Sequence, residues 1–385
     1  MDDPYVGREQ TEAKHFILRG YLQELAFKVL NHWDITYVDG FSGPWKSQTP
    51  DFRDTSFIIA IEVLQEAQRQ ILHRKGFRRK IRCFFSENDA ATYKELLRAV
   101  TAHHRPDEEF EIMTFPGSFE SAVPAINRLI GNSFPLIFID PTGWTGFGFE
   151  NIRSIFQSPK CEVVINYMYD HITRFVASPD RPTITSLEPI MGGPGWQDRL
   201  DKSLPLGLAA EKLFLETLKS AGDFRYVIST KIAKSTSDRP HFSLAYGTKS
   251  RQGLKAFRQI EYDALKSHAR NRVKAKAKRA EERSSTSDFF THHEADVQED
   301  AVDDIVASQE DLSKSNLLVL LAQHGSMNFA EVVDRLLQSY MLRETNVKDI
   351  CVALAKSGRI VKTWGGGNRK PRDTNLIVLS ATVND

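Results

Sequence analysis

Hydrophobic positions recur along this chain at two periods, and the first 250 residues alternate between them. From Thr11 to about Asn31, residues Phe16, Leu18, Leu22, Leu25, Ala26 and Leu30 fall near helical spacing. A second amphipathic helix is predicted from Ser56 to about Arg74, on Ile58, Ile59, Ile61, Val63, Leu64 and Ile71. Short apolar runs lie between and after them: Ile35 to Val38, Ile81 to Phe85 ending at Glu87, Phe110 to Phe115, Leu136 to Ile139, and Cys161 to Asn166. Helical patterns over Ala90 to His103 and Phe119 to Leu129 separate the later runs. This alternation predicts an α/β, doubly wound, mostly parallel sheet, and Leu136 to Ile139 reads as a strand buried on both faces. Phe224 to Ser229 and Phe242 to Thr248, separated by a polar stretch from Lys234 to Arg239, predict an antiparallel pair at its edge. Pro179 to Leu206, with Pro and Gly and few periodic positions, reads as a loop or small subdomain over the site.

The pattern changes near residue 266. Lys266 to Arg283 has eight basic residues against two glutamates and favours helix. Ser284 to Ser287 breaks it, and Asp288 to Asp311 holds nine acidic residues with no Lys or Arg, which reads as a flexible linker. Leu312 to Gln323, Asn328 to Tyr340 and Asn346 to Lys356 then predict three helices, with Asn328 as an N-cap. Arg359 to Trp364 and Asn375 to Leu379, around Gly365-Gly366-Gly367, predict a hairpin. Three helices and a hairpin suggest a winged-helix domain whose wing tip carries Asn368, Arg369, Lys370 and Arg372, able to bind duplex nucleic acid or to dock on protein. The expected organisation is therefore a Rossmann-like domain over 1–265, a basic helix and acidic linker over 266–311, and a winged helix over 312–385.

A length of 385 residues suits two domains, and a net charge of +1 confines any nucleic-acid affinity to local patches. Cys83, Cys161 and Cys351 are far apart, which indicates neither a disulfide framework nor a zinc ribbon. With no signal-like N-terminus and no apolar run near 18 residues, a cytoplasmic protein without a membrane partner is expected. Motifs for phosphoryl transfer, zinc proteolysis and serine hydrolysis are missing from the sequence.

The candidate chemistry lies at strand ends. Asp39 closes an apolar strand and leads into Gly40-Phe41-Ser42-Gly43-Pro44. There small residues let backbone approach a ligand, and an acid attracts an amino or sulfonium charge. Glu87 ends the next strand, where a carboxylate accepts ribose hydroxyls. Asn88 and Asp89 are substitutes, although Asp89 also suits a helix N-cap. Gly117 and Ser118 follow the third strand, at the position that meets adenine or simply caps a helix. Asp140-Pro141-Thr142-Gly143-Trp144 is the most specific piece. A carboxylate on a rigid turn orients an amine as its nitrogen attacks, and Trp144 or Phe147 could stack on a flipped base. Asn166, Tyr167 and Tyr169 would border the same cleft, with Asp170, His171 and Arg174 beyond. Ordinary turns and core aromatics explain each motif singly. Together, the layout resembles class I S-adenosylmethionine-dependent methyltransferases.

Lys14, Leu18, Tyr21, Leu22 and Tyr37 to Pro44, with Phe138 to Gly143 and Phe242 to Thr248 followed by Gly253-Leu254, also resemble the three-Cys-motif partner (TcmP) proteins over roughly residues 10–265. The resemblance implies a Rossmann-like methyltransferase fold, and a partner protein with a three-cysteine motif similar to radical-S-adenosylmethionine enzymes. The D-P-x-G segment is similar to that of tRNA guanine-N2 dimethyltransferases and, more distantly, to the D-P-P-Y of adenine-N6 enzymes, with Thr142 in place of the second proline. The expectation is an S-adenosylmethionine-dependent methyltransferase acting on a nucleic-acid nitrogen, RNA before DNA. The alternative is a catalytically inactive, methyltransferase-like adaptor, for which Trp45 argues because it stands where a small residue is usual. A dinucleotide-dependent oxidoreductase is disfavoured by the missing G-x-G-x-x-G.

Overall fold

The computed structural model describes residue 5 and residues 8–44, 47–233, 240–284, 291–365 and 369–380, with side chains left aside at 233, 240–241, 272, 274–284 and 291–301. The chain divides into two compact units, Met1–Gly253 and Leu254–Asp385.

The first unit opens with helix α1 (Glu9–Val29), followed by β1 (Ile35–Asp39), α2 (Ser56–Lys75), β2 (Ile81–Glu87), α3 (Ala90–Thr101), β3 (Phe110–Pro116), α4 (Phe119–Ile130) and β4 (Phe134–Ile139). A short α5 (Phe149–Ile152), β5 (Glu162–Tyr167), α6 (Tyr169–Phe175), α7 (Arg181–Met191) and α8 (Leu206–Gly222) come next. Strands β6 (Tyr226–Ala233) and β7 (Pro240–Thr248) complete the sheet, and α9 (Arg251–Ser284) leads out of the unit.

The seven strands lie in the order β3-β2-β1-β4-β5-β7-β6. The first five are parallel, while β7 runs antiparallel between β5 and β6. This is the Rossmann-like, class I methyltransferase type of sheet. Connections reverse direction at β1, which pairs with β2 on one side and β4 on the other, and such switch points open a crevice at the carboxyl ends of the strands. Central strands β1 and β4 are apolar because helices cover both faces: Tyr37, Val38, Leu136 and Ile137 are wholly buried. Helix starts are set by local chemistry, with Asp89 accepting from the Thr92 amide at 2.8 Å and Ser118 from the Ser121 amide at 3.2 Å.

Two parts of this unit differ from the sequence reading. Pro179 to Leu206 is not an irregular cover: α7 fills much of it, and Trp196 beyond it is fully buried and donates to the Ile184 carbonyl at 3.2 Å. Helix α8, unread in the sequence, buries Ala210, Leu213, Phe214 and Leu218 in the same core.

The second unit contains the rest of α9, then α10 (Thr291–His324), β8 (Ser326–Asn328), α11 (Phe329–Ser339), α12 (Glu344–Lys356), β9 (Ile360–Val361) and β10 (Leu376–Leu379). Its antiparallel sheet has the order β8-β10-β9. The predicted acidic linker is corrected here: residues 291–311 are the first part of α10 and continue unbroken into the predicted helix from Leu312. Val302 and Val306 are buried, Asp303 accepts from Tyr262 at 2.5 Å and Lys266 at 2.8 Å, and Glu310 accepts from Asn346 at 2.7 Å. Buried Val302 and Val306, one turn apart, and the paired Asp303 and Glu310 fasten residues 302–311 to the unit despite their charge. Of the predicted wing tip, Asn368 lies outside the described residues.

All three cysteines are free and buried, and burial pushes the Cys351 thiol up to about 12. No helix among the described residues is long and apolar enough to cross a membrane, and no cluster of His, Cys, Asp or Glu among them could hold a metal ion.

Candidate functional site

At the carboxyl ends of β1 to β4 the chain encloses a cleft of about 450 Å³. The β1 turn supplies Gly40 and Phe41, β2 supplies Glu87, the turn before α4 supplies Gly117 and Ser118, and the turn after β4 supplies Asp140, Pro141 and Gly143. Eight of the twelve residues singled out by sequence as catalytic or cofactor-binding thus share one cavity, of a size that suits a small-molecule ligand.

The other four are Asp39, Ser42, Gly43 and Trp144, none of which lines the cleft. Asp39 is wholly buried, with its carboxylate turned toward α2: it accepts from the Ser56 hydroxyl at 2.7 Å and the Phe41 amide at 3.1 Å. Burial pushes this carboxyl up to about 6, against the lowering effect of those hydrogen bonds. Asp39 therefore holds the β1 turn in shape. Ser42 does similar work, donating to the Asp39 carbonyl at 2.8 Å. The rest of this loop is tied down by Asp54, which accepts from Arg8 at 2.6 Å, Ser47 at 2.5 Å and Thr49 at 3.0 Å. Burial pushes Asp54 up, but these donors and the Gln48 amide outweigh it and hold the carboxyl at about 2. Trp45 lies outside the described residues.

Gly40 is a glycine because of packing. A Cβ there would sit 2.7 Å from carbons of the Phe119 ring, closer than side chains approach. Its amide donates to the Phe138 carbonyl at 3.1 Å and its carbonyl accepts from Ser86 at 3.0 Å, which extends the sheet by one residue into the turn. Phe41 then packs edge-on against Phe147 and tilted on Phe119.

Glu87 is buried at the end of β2, and its Oε1 accepts the Asp89 amide at 2.7 Å. That contact fixes the carboxylate at the cleft wall. Asp89 itself caps α3, as its alternative reading expects.

Asp140 is the most connected residue of the site. Its Oδ2 accepts from Lys14 of α1 at 2.5 Å, and its Oδ1 from the Asn166 amide at 2.7 Å. The Lys14 side chain is only 11% exposed and that of Asp140 17%, so this ion pair is largely removed from water. The Oδ1 of Asn166 is buried with no hydrogen-bond partner, which leaves one unfilled acceptor beside Asp140. The sequence places Asn166 beside this cleft; the structure sets it behind Asp140 rather than in the cleft lining, and adds Lys14 as a partner to which the strand-end motifs gave no role. Lys14 lies 126 residues from Asp140, and only the folded sheet brings them together.

Trp144 turns away from the cleft. Its indole N–H donates to Ser186 at 3.0 Å, and its ring packs against Phe175 and His171. Phe147 is fully buried. Neither ring lines the cleft: Phe147 fills the core beneath the β4 turn, and Trp144 packs half-buried against it. Tyr167 is also buried, against Phe214.

No family model and no curated protein matches the chain. Among solved structures, a spermidine synthase in complex with the transition-state analogue AdoDATO is similar at 12% identity and a TM-score of 0.30, over 63% of this chain and 62% of its own. Loganic acid methyltransferase with SAH is similar at 11% identity and a TM-score of 0.28, over 70% of this chain and 86% of its own. The chain thus spans less than two thirds of the synthase's length.

Proposed function

We propose that the first unit is an S-adenosylmethionine-dependent methyltransferase acting on a nitrogen of nucleic acid, RNA before DNA. The observation that carries this reading is the cleft itself: two separately anchored carboxylates, Glu87 and Asp140, face one cavity at the sheet's switch point. The cleft residues fit that cofactor. Glu87, already oriented by the Asp89 amide, would accept the ribose hydroxyls, and Gly117 and Ser118 would border the adenine. Gly40 and Phe41 would border the remainder. Bound S-adenosylmethionine supplies an electrophilic methyl group.

The chain's own residues would do the rest. Asp140 would accept an N–H of the incoming amine, with Lys14 and Asn166 fixing its orientation. Asp140→Asn should lower methyl transfer to RNA by about 10²-fold or more. Unchanged transfer would refute the assignment.

A second reading is the adaptor without catalysis. It is favoured by Asp39, the expected cofactor carboxylate, whose oxygens are committed to Ser56 and the Phe41 amide. The element order of the second unit, helix-strand-helix-helix-strand-strand, supports a winged helix. Within it Lys348 is paired with Glu344 at 2.6 Å and Lys370 with Asp349 at 2.5 Å, which favours protein docking over duplex binding at α12. A partner with a three-cysteine motif is the protein this reading would place there; co-purification with the intact chain tests it, and its loss on deleting 312–385 is the expected result.

A further inference from the structure

The opposite edge of the same sheet carries a second cavity, of about 470 Å³, at the amino ends of β1, β2 and β4. It is lined by Trp33, Asp34, Arg79, Arg82, Arg128 and Asn132, among others. The sequence feeding it is the most basic in the first unit: His73 to Arg82 holds six Lys or Arg and no acidic residue.

Part of this charge has an internal explanation. Lys80 pairs with Glu109 and Glu111, Arg82 stands 3.9 Å from Asp34 and 3.7 Å from Glu111, and Arg78 lies 4.0 Å from Glu108. The carboxyl end of α4 also favours a nearby cation. Two guanidinium groups have no carboxylate partner among the described residues: Arg128, in the last turn of α4, and Arg79, which lies 5.5 Å from the Phe77 ring centroid and whose Nε is buried with no acceptor. Beside them, Trp33 is 46% exposed, with the Lys160 ammonium 3.5 Å from its ring centroid. An exposed indole and two guanidinium groups without carboxylate partners thus share one cavity wall. Phosphate oxygens would complete the guanidinium forks, and a base would cover the ring.

We propose that this amino-edge pocket binds a nucleotide unit, with Arg79 and Arg128 on the phosphate and Trp33 stacked on the base. A single-stranded RNA and a free mononucleotide share this chemistry. The site lies at the edge remote from the cleft, and the inference does not rest on methyl transfer.

The test is fluorescence anisotropy of the full chain with a labelled oligouridylate of about 12 nucleotides, titrated between about 50 and 200 mM salt, with uridine monophosphate as competitor. The double variant Arg79→Gln/Arg128→Gln should weaken binding about tenfold or more and flatten the log–log salt slope by about 0.7, from one lost phosphate contact on a single strand. Trp33→Ala should also weaken binding about tenfold, with the salt slope unchanged. A merely structural role would not separate these two responses. Arg128 is exposed, so Arg128→Glu alone serves as a variant that folds and should reproduce the electrostatic loss. Competition by the mononucleotide at equal site concentration supports the free-nucleotide source, and competition by the strand alone supports RNA. No binding by the wild type, or wild-type affinity and salt slope in all three variants, overturns the proposal.

Discussion

Glu162 offers a quantitative test of how α1 is fastened over the sheet. It opens β5 and is fully buried, accepting from Tyr21 of α1 on one oxygen and from Thr248 at 2.8 Å on the other; Tyr21 and Tyr246 share a further bond of 2.5 Å. Burial pushes its carboxyl from 4.5 up to about 7, more than these hydrogen bonds lower it. The folded state therefore holds a proton that the unfolded chain releases near 4.5. The stabilisation is fully present below that pH and is lost as pH rises through 7. A move of this size corresponds to about 3 kcal/mol. Glu162→Gln removes the titration while keeping a side chain that can accept from Thr248, and Tyr21 can turn its proton to Tyr246. Urea unfolding followed by tryptophan fluorescence reads mainly the first unit, since Trp33, Trp45, Trp144 and Trp196 lie there and only Trp364 lies beyond. Relative to wild type, the variant should gain about 3 kcal/mol between pH 4.5 and 7.5. Asp39 contributes a pH dependence of the same sign in both proteins, so the difference isolates Glu162. Asp54, held at about 2, titrates below this window. Parallel pH profiles for the two proteins would refute the buried-proton account.

Other outcomes follow from the same geometry. Gly40→Ala should cost about 1–3 kcal/mol in unfolding free energy, because the new methyl meets the Phe119 ring, whereas Gly143→Ala, with nothing within 4 Å of its Cβ, should be near neutral. Trp144→Phe should lower stability by about 1 kcal/mol through the lost Ser186 bond and leave ligand affinity unchanged, as expected of a ring outside the cleft. Asp89→Ala should cost about 1 kcal/mol through the α3 cap, in thermal melts, with little change in cofactor affinity.

The sheet was readable in the sequence because a strand covered on both faces must be apolar throughout, as Leu136 to Ile139 is. The roles of the acidic strand ends were not. Asp39 and Glu87 look alike as sequence, each closing an apolar run. What separates them is Ser56, 17 residues on, which reaches the Asp39 carboxylate, and the Asp89 amide, which fixes Glu87 at the cleft. Trp144 is a similar case: the motif placed it at the turn, but Phe175 and Ser186 decide where the ring goes. The acidic run misread as a linker did carry a signal, since Val302, Val306, Ser313, Leu317 and Leu321 recur near helical spacing and are all buried. Its charge density masked that stripe. Lys14 opposite Asp140 had no local signal, because only long-range packing of α1 creates the pair.

The central claim is a cofactor site anchored by Glu87, and calorimetric titration of the intact chain with S-adenosylmethionine tests it most directly. Micromolar binding in the wild type, weakened about tenfold or more in Glu87→Ala, is the predicted result. No heat of binding at millimolar ligand in a folded protein, or equal affinity in Glu87→Ala, would contradict it.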